Sequence, residues 1–195
     1  MNFRLPLAGF MFFLSISYAL ENNLDSLSKG LQHLQYKKID VTLTQFQYGE
    51  RYYSKISVSF IDTSSYLVTS NEQDIFVSDR KVKTWNKVTN QLIIDNKIEG
   101  DKDIFSLLTG DLNGVILQNK RNENGIITFG YFIKDYGLKG ILKVEELTWH
   151  LREIEIEYDQ DNTVQLTIDN WQFLPENISF SDFGKKANEV IDLNE

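Results

Sequence analysis

The sequence contains no cysteine among its 195 residues. Without cysteine the chain can form no disulfide, so an exported protein of this size must be stabilised by packing, which chains of roughly 100 to 200 residues allow. Lipid attachment to a bacterial lipoprotein also requires a cysteine at the cleavage point. The sequence therefore excludes that class of protein.

Side chains that carry out catalysis are also scarce. The two histidines, His33 and His150, lie in different elements without a partner at metal-ligand spacing, and we interpret both as surface or boundary residues. No Gly-rich phosphate loop, HExxH or GxSxG pattern occurs. The stretch Asp159-Gln160-Asp161-Asn162 lacks the later ligands of a calcium loop and predicts a hairpin turn. We therefore expect a protein that is not an enzyme and that holds no metal and no cofactor.

Positive charge is in deficit. The chain has 20 Lys and Arg against 28 Asp and Glu, which gives a formal net charge of -8 at pH 7. Nucleic acid requires a basic footprint, so a surface of this sign is a poor partner for it. We expect no nucleic-acid partner.

Long apolar runs are missing apart from the N-terminal segment, residues 1–19. There Arg4 precedes an apolar run from Leu5 to Ile16, and small residues follow up to Ala19, which is the pattern of a cleavable signal peptide. The alternative is a membrane anchor, but the run is shorter than the ~20 residues that span a bilayer. We expect export, cleavage after Ala19, and one domain over residues 20–195.

Most of the remaining chain alternates apolar and polar residues with period two, which is typical of strands with one apolar face. The predicted strands begin around Ile39 and Lys55 and continue with Tyr66–Thr69, Asp74–Ser78, Lys81–Asn86, Gln91–Asp95, Ile126–Lys134, Ile141–Leu147, Glu153–Tyr158 and Val164–Phe173. Short turns between them favour antiparallel neighbours. In the strand that contains Glu153, Glu155 and Glu157, the three acids share one side and are interpreted as a solvated face.

Two segments have helical spacing instead. Leucines recur from Leu24 to Leu34 and predict a helix from Leu24 to Lys37, which Gly30 weakens by ~1 kcal/mol. The segment GDKDIFSLLTGDL predicts a second, shorter helix. About ten strands and two helices predict a mainly β fold with helices (α+β), in which a highly curved antiparallel sheet forms an incomplete barrel with helices on one face.

Large apolar side chains are abundant on the predicted strands. They are Phe60, Tyr66, Phe76, Trp85, Phe129, Phe132, Trp149, Trp171 and Phe173. They can form an ordinary core against the two helices, or they can line a pocket for an apolar ligand on the concave side of the sheet. Composition does not separate these interpretations.

Three stretches, in this order along the chain, carry a resemblance to a known family. They are LTQFQ at residues 43–47, then Val77-Ser78-Asp79-Arg80 followed by Thr84-Trp85-Asn86 and Thr89-Asn90-Gln91-Leu92, and last REIEIEYDQDNTVQLTIDNWQF at residues 152–173, which ends in Phe173-Leu174-Pro175. They resemble the first strand, the central hairpin and the closing hairpin of the LolA family of periplasmic lipoprotein carriers. The resemblance covers almost the whole mature chain.

The chain also departs from the family. Arg80 replaces a turn glycine, and one residue is missing before Trp85. Tyr66-Leu67-Val68 stands where many members carry a Phe-Arg-Trp-like triplet. That arginine is associated with lid contacts and ligand release in the family, so its role is not carried over to any residue of this chain. The related membrane receptor, LolB, is a lipoprotein and needs a cysteine, so the resemblance is to the soluble carrier.

The resemblance implies a periplasmic protein of a Gram-negative bacterium whose incomplete barrel encloses a hydrophobic cavity under a helical lid. The implied ligand is the acyl chains of lipoproteins. The implied partners are an inner-membrane lipoprotein-releasing ABC transporter and an outer-membrane acceptor, with the carrier itself a monomer. The helix that contains Ile104, Phe105, Leu107 and Leu108 is the expected lid. The expected cavity residues are Phe60, Tyr66, Phe76, Trp85, Ile93, Ile104, Phe105, Leu108, Phe129, Trp171 and Phe173.

Two other functions remain open from the sequence. A regulator of the same fold would sense lipoproteins by binding them without transporting them. A secreted hydrolase would need a base and a nucleophile, and the sequence offers no recognisable pair.

Overall fold

The computed structural model describes residues 23–31, 36–62, 64–78, 80–98, 104–109, 112–175, 180 and 183–194. The predicted signal peptide lies outside these residues. A first helix, α1, covers residues 23–31, and a second, α2, covers Ile104–Leu108. The strands of the described ranges are β1 (Lys37–Gln47), β2 (Glu50–Phe60), β3 (Tyr66–Thr69), β4 (Gln73–Val77), β5 (Lys81–Asn86), β6 (Gln91–Asn96), β7 (Val115–Glu123), β8 (Ile126–Ile133), β9 (Leu138–Glu145), β10 (Leu151–Glu157), β11 (Asn162–Phe173) and β12 (Glu189–Asp192).

All twelve of these strands form one curved, unclosed sheet in the order β12-β6-β5-β4-β3-β2-β1-β11-β10-β9-β8-β7. Each neighbouring pair is antiparallel except β12 with β6, which is parallel. Strand β1 is central and pairs along its whole length with both β2 and β11. The prediction of a large curved antiparallel sheet is confirmed.

One face of the sheet carries the core. Strand β8 alternates between half-buried and buried positions along all eight residues, and β10 buries Leu151, Ile154 and Ile156. These side chains join one apolar cluster that includes α1 and α2. Burying a side chain such as Leu or Ile contributes about 1.5–3 kcal/mol relative to leaving it exposed. The period-two pattern therefore determines which residues share the face that packs against the helices.

The outer face of the same strands is polar, as the acidic alternation predicts. Glu153 pairs with Lys143 at 2.6 Å between the carboxylate and the ammonium group, and Glu157 pairs with Lys139 at 2.7 Å. Glu155 lies between them and is half-buried. Burial and the two flanking carboxylates raise the pKa of Glu155.

Helix α1 packs on the core through Leu27 and Leu31, both buried. Gly30, which weakens the helix in isolation, is required by this packing, because a Cβ there would lie 2.6 Å from the carbonyl oxygen of Trp149. The Trp149 ring in turn stacks on Phe129 at 6.1 Å between centroids. Glycine at this position therefore allows a close approach of helix and sheet.

Some element bounds differ from the prediction. Tyr36 has a φ of 56° and Lys37 begins β1, so the predicted continuation of the first helix to Lys37 is wrong. The reason is that Lys37 pairs with Phe60 on one side and Phe173 on the other, and this ladder replaces helical hydrogen bonds. Strands β7 and β12 were not predicted. Leu34 and the start of the segment that predicts the second helix, residues 100–103, lie outside the described residues.

A glycine and a tyrosine connect β8, β9 and β10. The Tyr131 hydroxyl donates to the Glu155 carbonyl oxygen at 2.8 Å and crosses over Gly140 on the strand between. A Cβ at Gly140 would lie 1.9 Å from that carbonyl oxygen and 2.7 Å from the Tyr131 ring. Burial raises the pKa of Tyr131, so the hydroxyl stays protonated and able to donate.

We predict that Gly140→Ala lowers the free energy of unfolding by about 3 kcal/mol, because the added methyl group overlaps backbone and ring atoms. Urea denaturation measures the loss. Gly130→Ala is the matched control. Gly130 is also paired between β8 and β9, but the atom nearest to a Cβ added there is 3.7 Å away. The free energy of unfolding of this variant should therefore change by less than about 1 kcal/mol. Equal losses in the two variants would contradict the role given to Gly140.

Candidate functional site

A pocket of about 420 Å³ lies on the core face of strands β3 to β6. Its volume is within the range of small-molecule sites, roughly 300–1,000 Å³. Most of its lining is apolar, and the polar residues come mainly from the end of β6 and the residues that follow it. The lining residues are Tyr66, Val68, Ile75, Val77, Val82, Thr84, Ile93, Asp95, Asn96, Lys97, Ile98 and Phe105.

Strand register places these side chains in two rows. In the first, Tyr66 pairs with Val77, Val77 with Val82, and Val82 with Asp95. Directly opposite residues on antiparallel strands point to the same face, so one row presents a continuous surface across four strands.

The second row runs parallel to the first, two residues along. Val68 pairs with Ile75, Ile75 with Thr84, and Thr84 with Ile93. Valine and isoleucine are favoured on strands because their branched side chains pack well on a pleated surface. The same residues that stabilise these strands thus make the apolar floor of the pocket.

Helix α2 closes one side. The ring of Phe105 lies 6.2 Å from that of Tyr66 between centroids. Ile104, Leu107 and Leu108 are buried in the core, so this short helix is held by its apolar face. Ile98, at the rim of the pocket, is 72% exposed.

Charge is confined to the rim. The charged lining residues are Asp95 and Lys97. Within the part of the chain that the structure describes, no three His, Asp or Glu side chains are grouped as a metal ion would need. The arrangement suits an apolar ligand with a polar end that stays near the rim.

The structure brings some of the expected cavity residues together. Tyr66, Ile93 and Phe105 line the pocket. Phe60, Ile104, Leu108 and Phe129 are buried in the apolar cluster, and Trp171 packs partly against it. None of these four buried residues or Trp171 is part of the pocket lining.

Phe76 and Trp85 lie on the other face of the sheet. Their neighbours on β4 and β5, Ile75, Val77 and Thr84, point into the pocket, and alternation turns Phe76 and Trp85 away from it. The expectation that these two residues line the same cavity as Tyr66 is therefore a mistaken assignment of face. Period two shows which residues share a face but not which face is covered by a helix.

The C-terminal segment covers part of that outer face. The rings of Phe180 and Phe183 each lie 5.8 Å from the Phe76 ring. A Cβ at Gly184 would lie 2.7 Å from a Leu92 methyl group. Trp85 donates its indole N–H to the Asn90 side chain at 3.0 Å. The central hairpin thus supports the C-terminal segment.

Phe173 also lies outside the pocket. Its side chain is 87% exposed at the end of β11, and the Lys37 ammonium group lies 5.4 Å from its ring centroid and 5.9 Å from that of Trp171. Burial lowers the pKa of Lys37. Phe173 is the last residue of β11, and its ring is largely exposed to solvent.

Sequence reasoning missed the aliphatic lining. Val68, Ile75, Val77 and Val82 form much of the floor, whereas the expected list emphasised aromatic residues. The available signal was the run of short, valine- and isoleucine-rich strands between Tyr66 and Asn96. Valine and isoleucine side chains are smaller than aromatic ones, so they leave space above the strands that larger side chains would fill.

Fold and pocket together define an open, single-sheet β protein with an apolar binding pocket beside a short helix. The described helices include none long and apolar enough to cross a membrane. No protein-family model matches the chain, and no curated protein matches its sequence.

Solved structures are similar to the chain in fold. An uncharacterized conserved protein from Thermus thermophilus matches over 89% of this chain and 99% of its own, with a TM-score of 0.54 and 12% identity. A DUF1329 family protein from Desulfovibrio piger covers 84% and 95%, with a TM-score of 0.48 and 9% identity. A LolA superfamily protein from Nitrosomonas europaea covers 82% and 98%, with a TM-score of 0.46 and 11% identity. At these identities the likeness is one of fold alone.

Proposed function

We propose that the protein is a non-enzymatic periplasmic carrier that shields lipoprotein acyl chains in the pocket between β3–β6 and α2. The observation that carries this proposal is the lining: two cross-strand rows of mostly aliphatic residues under the Phe105 ring, with charge only at the rim. The ordered resemblance to LolA carriers supports the choice of ligand. In this proposal the chain receives cargo from an inner-membrane ABC transporter and passes it to an outer-membrane acceptor.

A lipoprotein acyl chain exposed to water has a large unfavourable free energy, which is the physical reason for such a carrier. Each CH₂ group in water is unfavourable by ~0.8 kcal/mol, so a 14-carbon chain is unfavourable by roughly 11 kcal/mol. An apolar pocket removes that surface from water without hydrogen bonds that would have to be broken on release. Aliphatic lining therefore favours a carrier that must both hold its ligand and let it go.

Helix α2 is the proposed lid. It is only five residues long, Ile104–Leu108, so it is stabilised by packing and not by its own hydrogen bonds. Its contacts with the pocket depend on Phe105 over Tyr66. A small shift of this helix would open the pocket while the sheet stays intact.

We predict that the protein binds a dansyl-labelled fatty acid and that Ile93→Asp weakens binding by about tenfold or more, ~1.4 kcal/mol, because a carboxylate in the pocket must be desolvated or protonated. Dansyl fluorescence measures the dissociation constant. Ile94→Asp is the matched control, since it changes the next residue of β6 on the opposite face. Its dissociation constant should stay within about twofold of the wild-type value.

Absence of fatty-acid binding by the folded wild-type protein would contradict the proposed function. Equal weakening by Ile93→Asp and Ile94→Asp would show that the probe binds elsewhere. Circular dichroism of each variant distinguishes loss of the pocket from loss of the fold.

We also predict that Phe105→Ala speeds release of the bound probe about fivefold or more, because the side of the pocket next to Tyr66 loses its cover. Stopped-flow displacement by unlabelled fatty acid gives the release rate. Phe183→Ala removes an aromatic ring from the other face and serves as the control, with an unchanged rate. A release rate in Phe105→Ala equal to that of the wild type would argue against α2 as the lid.

A further inference from the structure

Two hairpins meet at the end of the sheet away from the pocket. The β1–β2 turn consists of Tyr48 and Gly49, both with positive φ, 50° and 84°. The β10–β11 turn follows at residues 158–161, and the Tyr48 N–H donates to the Asp161 carbonyl oxygen at 3.2 Å. The two turns are therefore adjacent at this end of the sheet.

Four tyrosines are exposed on these hairpins. Tyr48 is 76% exposed, Tyr53 65%, Tyr158 51% and Tyr52 50%. We call this set, with the three acidic residues Glu50, Asp159 and Asp161, the tyrosine tip. Tyr52 and Tyr53 are consecutive on β2 and point to opposite faces, so the exposed rings surround the end of the hairpins and do not share one face. Single exposed apolar residues are ordinary, but several at one end of a sheet mark an interaction surface.

The charge of the tyrosine tip is mainly negative. Across residues 47–53 and 158–162 the sequence has the three acids and one cation, Arg51. The Tyr52 hydroxyl donates to the Glu50 carboxylate at 2.6 Å. The Asp159 carboxylate accepts from the Asp161 N–H at 2.8 Å and from the Asn162 side chain. These bonds hold acidic groups among the tyrosine rings.

A groove continues the tip on the outer face of the sheet. It has a volume of about 320 Å³ and contains Phe46, Tyr53, Arg51 and Glu155 among its lining residues. The acids on either side of Glu155, Glu153 and Glu157, already form ion pairs with lysines. A half-buried carboxylate next to two aromatic rings suits a planar guanidinium group, which stacks on rings and binds carboxylates through paired hydrogen bonds.

We propose that the tyrosine tip is a docking surface for a protein partner whose contacting segment is rich in arginine and lysine. Tyrosine provides a large rigid contact area at low entropic cost, and arginine pairs well with both its ring and the neighbouring acids. An anionic membrane surface is a poorer partner, because the acids of the tip would repel it. The inference is separate from acyl-chain binding, since the tip shares no lining residue with the pocket.

A fluorescein-labelled peptide of Arg-Gly-Ser repeats tests the docking surface by fluorescence anisotropy, with a Glu-Gly-Ser peptide for comparison. The wild-type protein should bind the basic peptide and not the acidic one. Tyr48→Asn/Tyr52→Thr removes two rings and keeps residues suited to the positive φ and to the strand. Glu50→Gln/Asp161→Asn removes two charges and keeps size. Each double variant should weaken binding about fivefold.

Matched controls separate docking from general attraction to an acidic protein. Glu72→Gln/Glu189→Gln makes the same charge change outside the tip, and Tyr36→Asn removes a tyrosine that is 39% exposed, also has a positive φ, and lies at the opposite end of β1. Both should change affinity by less than about twofold. Three results would overturn the inference: no binding of the basic peptide, equal weakening by the charge control, or tyrosine-dependent binding of phosphatidylglycerol vesicles in place of the peptide. Fatty-acid binding is measured in parallel and should be unchanged in every tip variant.

Discussion

The continuity of the sheet depends on the pairing of one strand. β1 is bonded over its full length to β2 on one side and to β11 on the other. Through β2 it is joined to the strands that line the pocket, and through β11 to the strands that bury Phe129 and Tyr131. Without β1 the sheet would be two smaller ones, each with an exposed edge and half a core.

Because the sheet is a single layer, each of its strands has an inner and an outer face with different roles. On β4, Ile75 and Val77 face the pocket while Phe76 faces Phe180 and Phe183. On β6, Ile93 faces the pocket while Leu92 lies against Gly184. The C-terminal segment thus covers the back of the strands whose front forms the pocket. This packing supports the floor from behind, so the proposed opening of the pocket falls to α2.

Much of the fold could be predicted because alternation is strong wherever one face is buried. β7 was missed because only Val115 and Leu117 are buried at its start, and the rest of the strand is exposed. β12 was missed because four largely exposed residues carry no alternation, and its pairing with β6 is parallel and distant in sequence. Both are edge strands, in which the backbone hydrogen bonds form without the alternation of buried and exposed side chains that normally predicts a strand.

The candidate site was only partly predictable for a related reason. Tyr66, Ile93 and Phe105 were expected at the cavity and line the pocket. Phe76 and Trp85 lie on the outer face, where Phe76 packs against Phe180 and Phe183, more than 90 residues away along the chain. Local periodicity contains no information about such distant partners.

The two proposed surfaces lie at opposite ends of the sheet, the tyrosine tip on β1–β2 and β10–β11 and the pocket on β3–β6. On β2, Tyr52 belongs to the tyrosine tip, while Phe60 pairs with Tyr66 of the pocket. Eight residues of extended strand separate them, roughly 26 Å at ~3.3 Å per residue. A partner at the tip would therefore leave the pocket mouth and α2 free, so a carrier could be held by one protein while its ligand enters or leaves at the other end. Any influence of the partner on the ligand would have to pass along β1, which is hydrogen-bonded on both sides over its full length, and through β2, which joins β3 only at Ser57–Phe60.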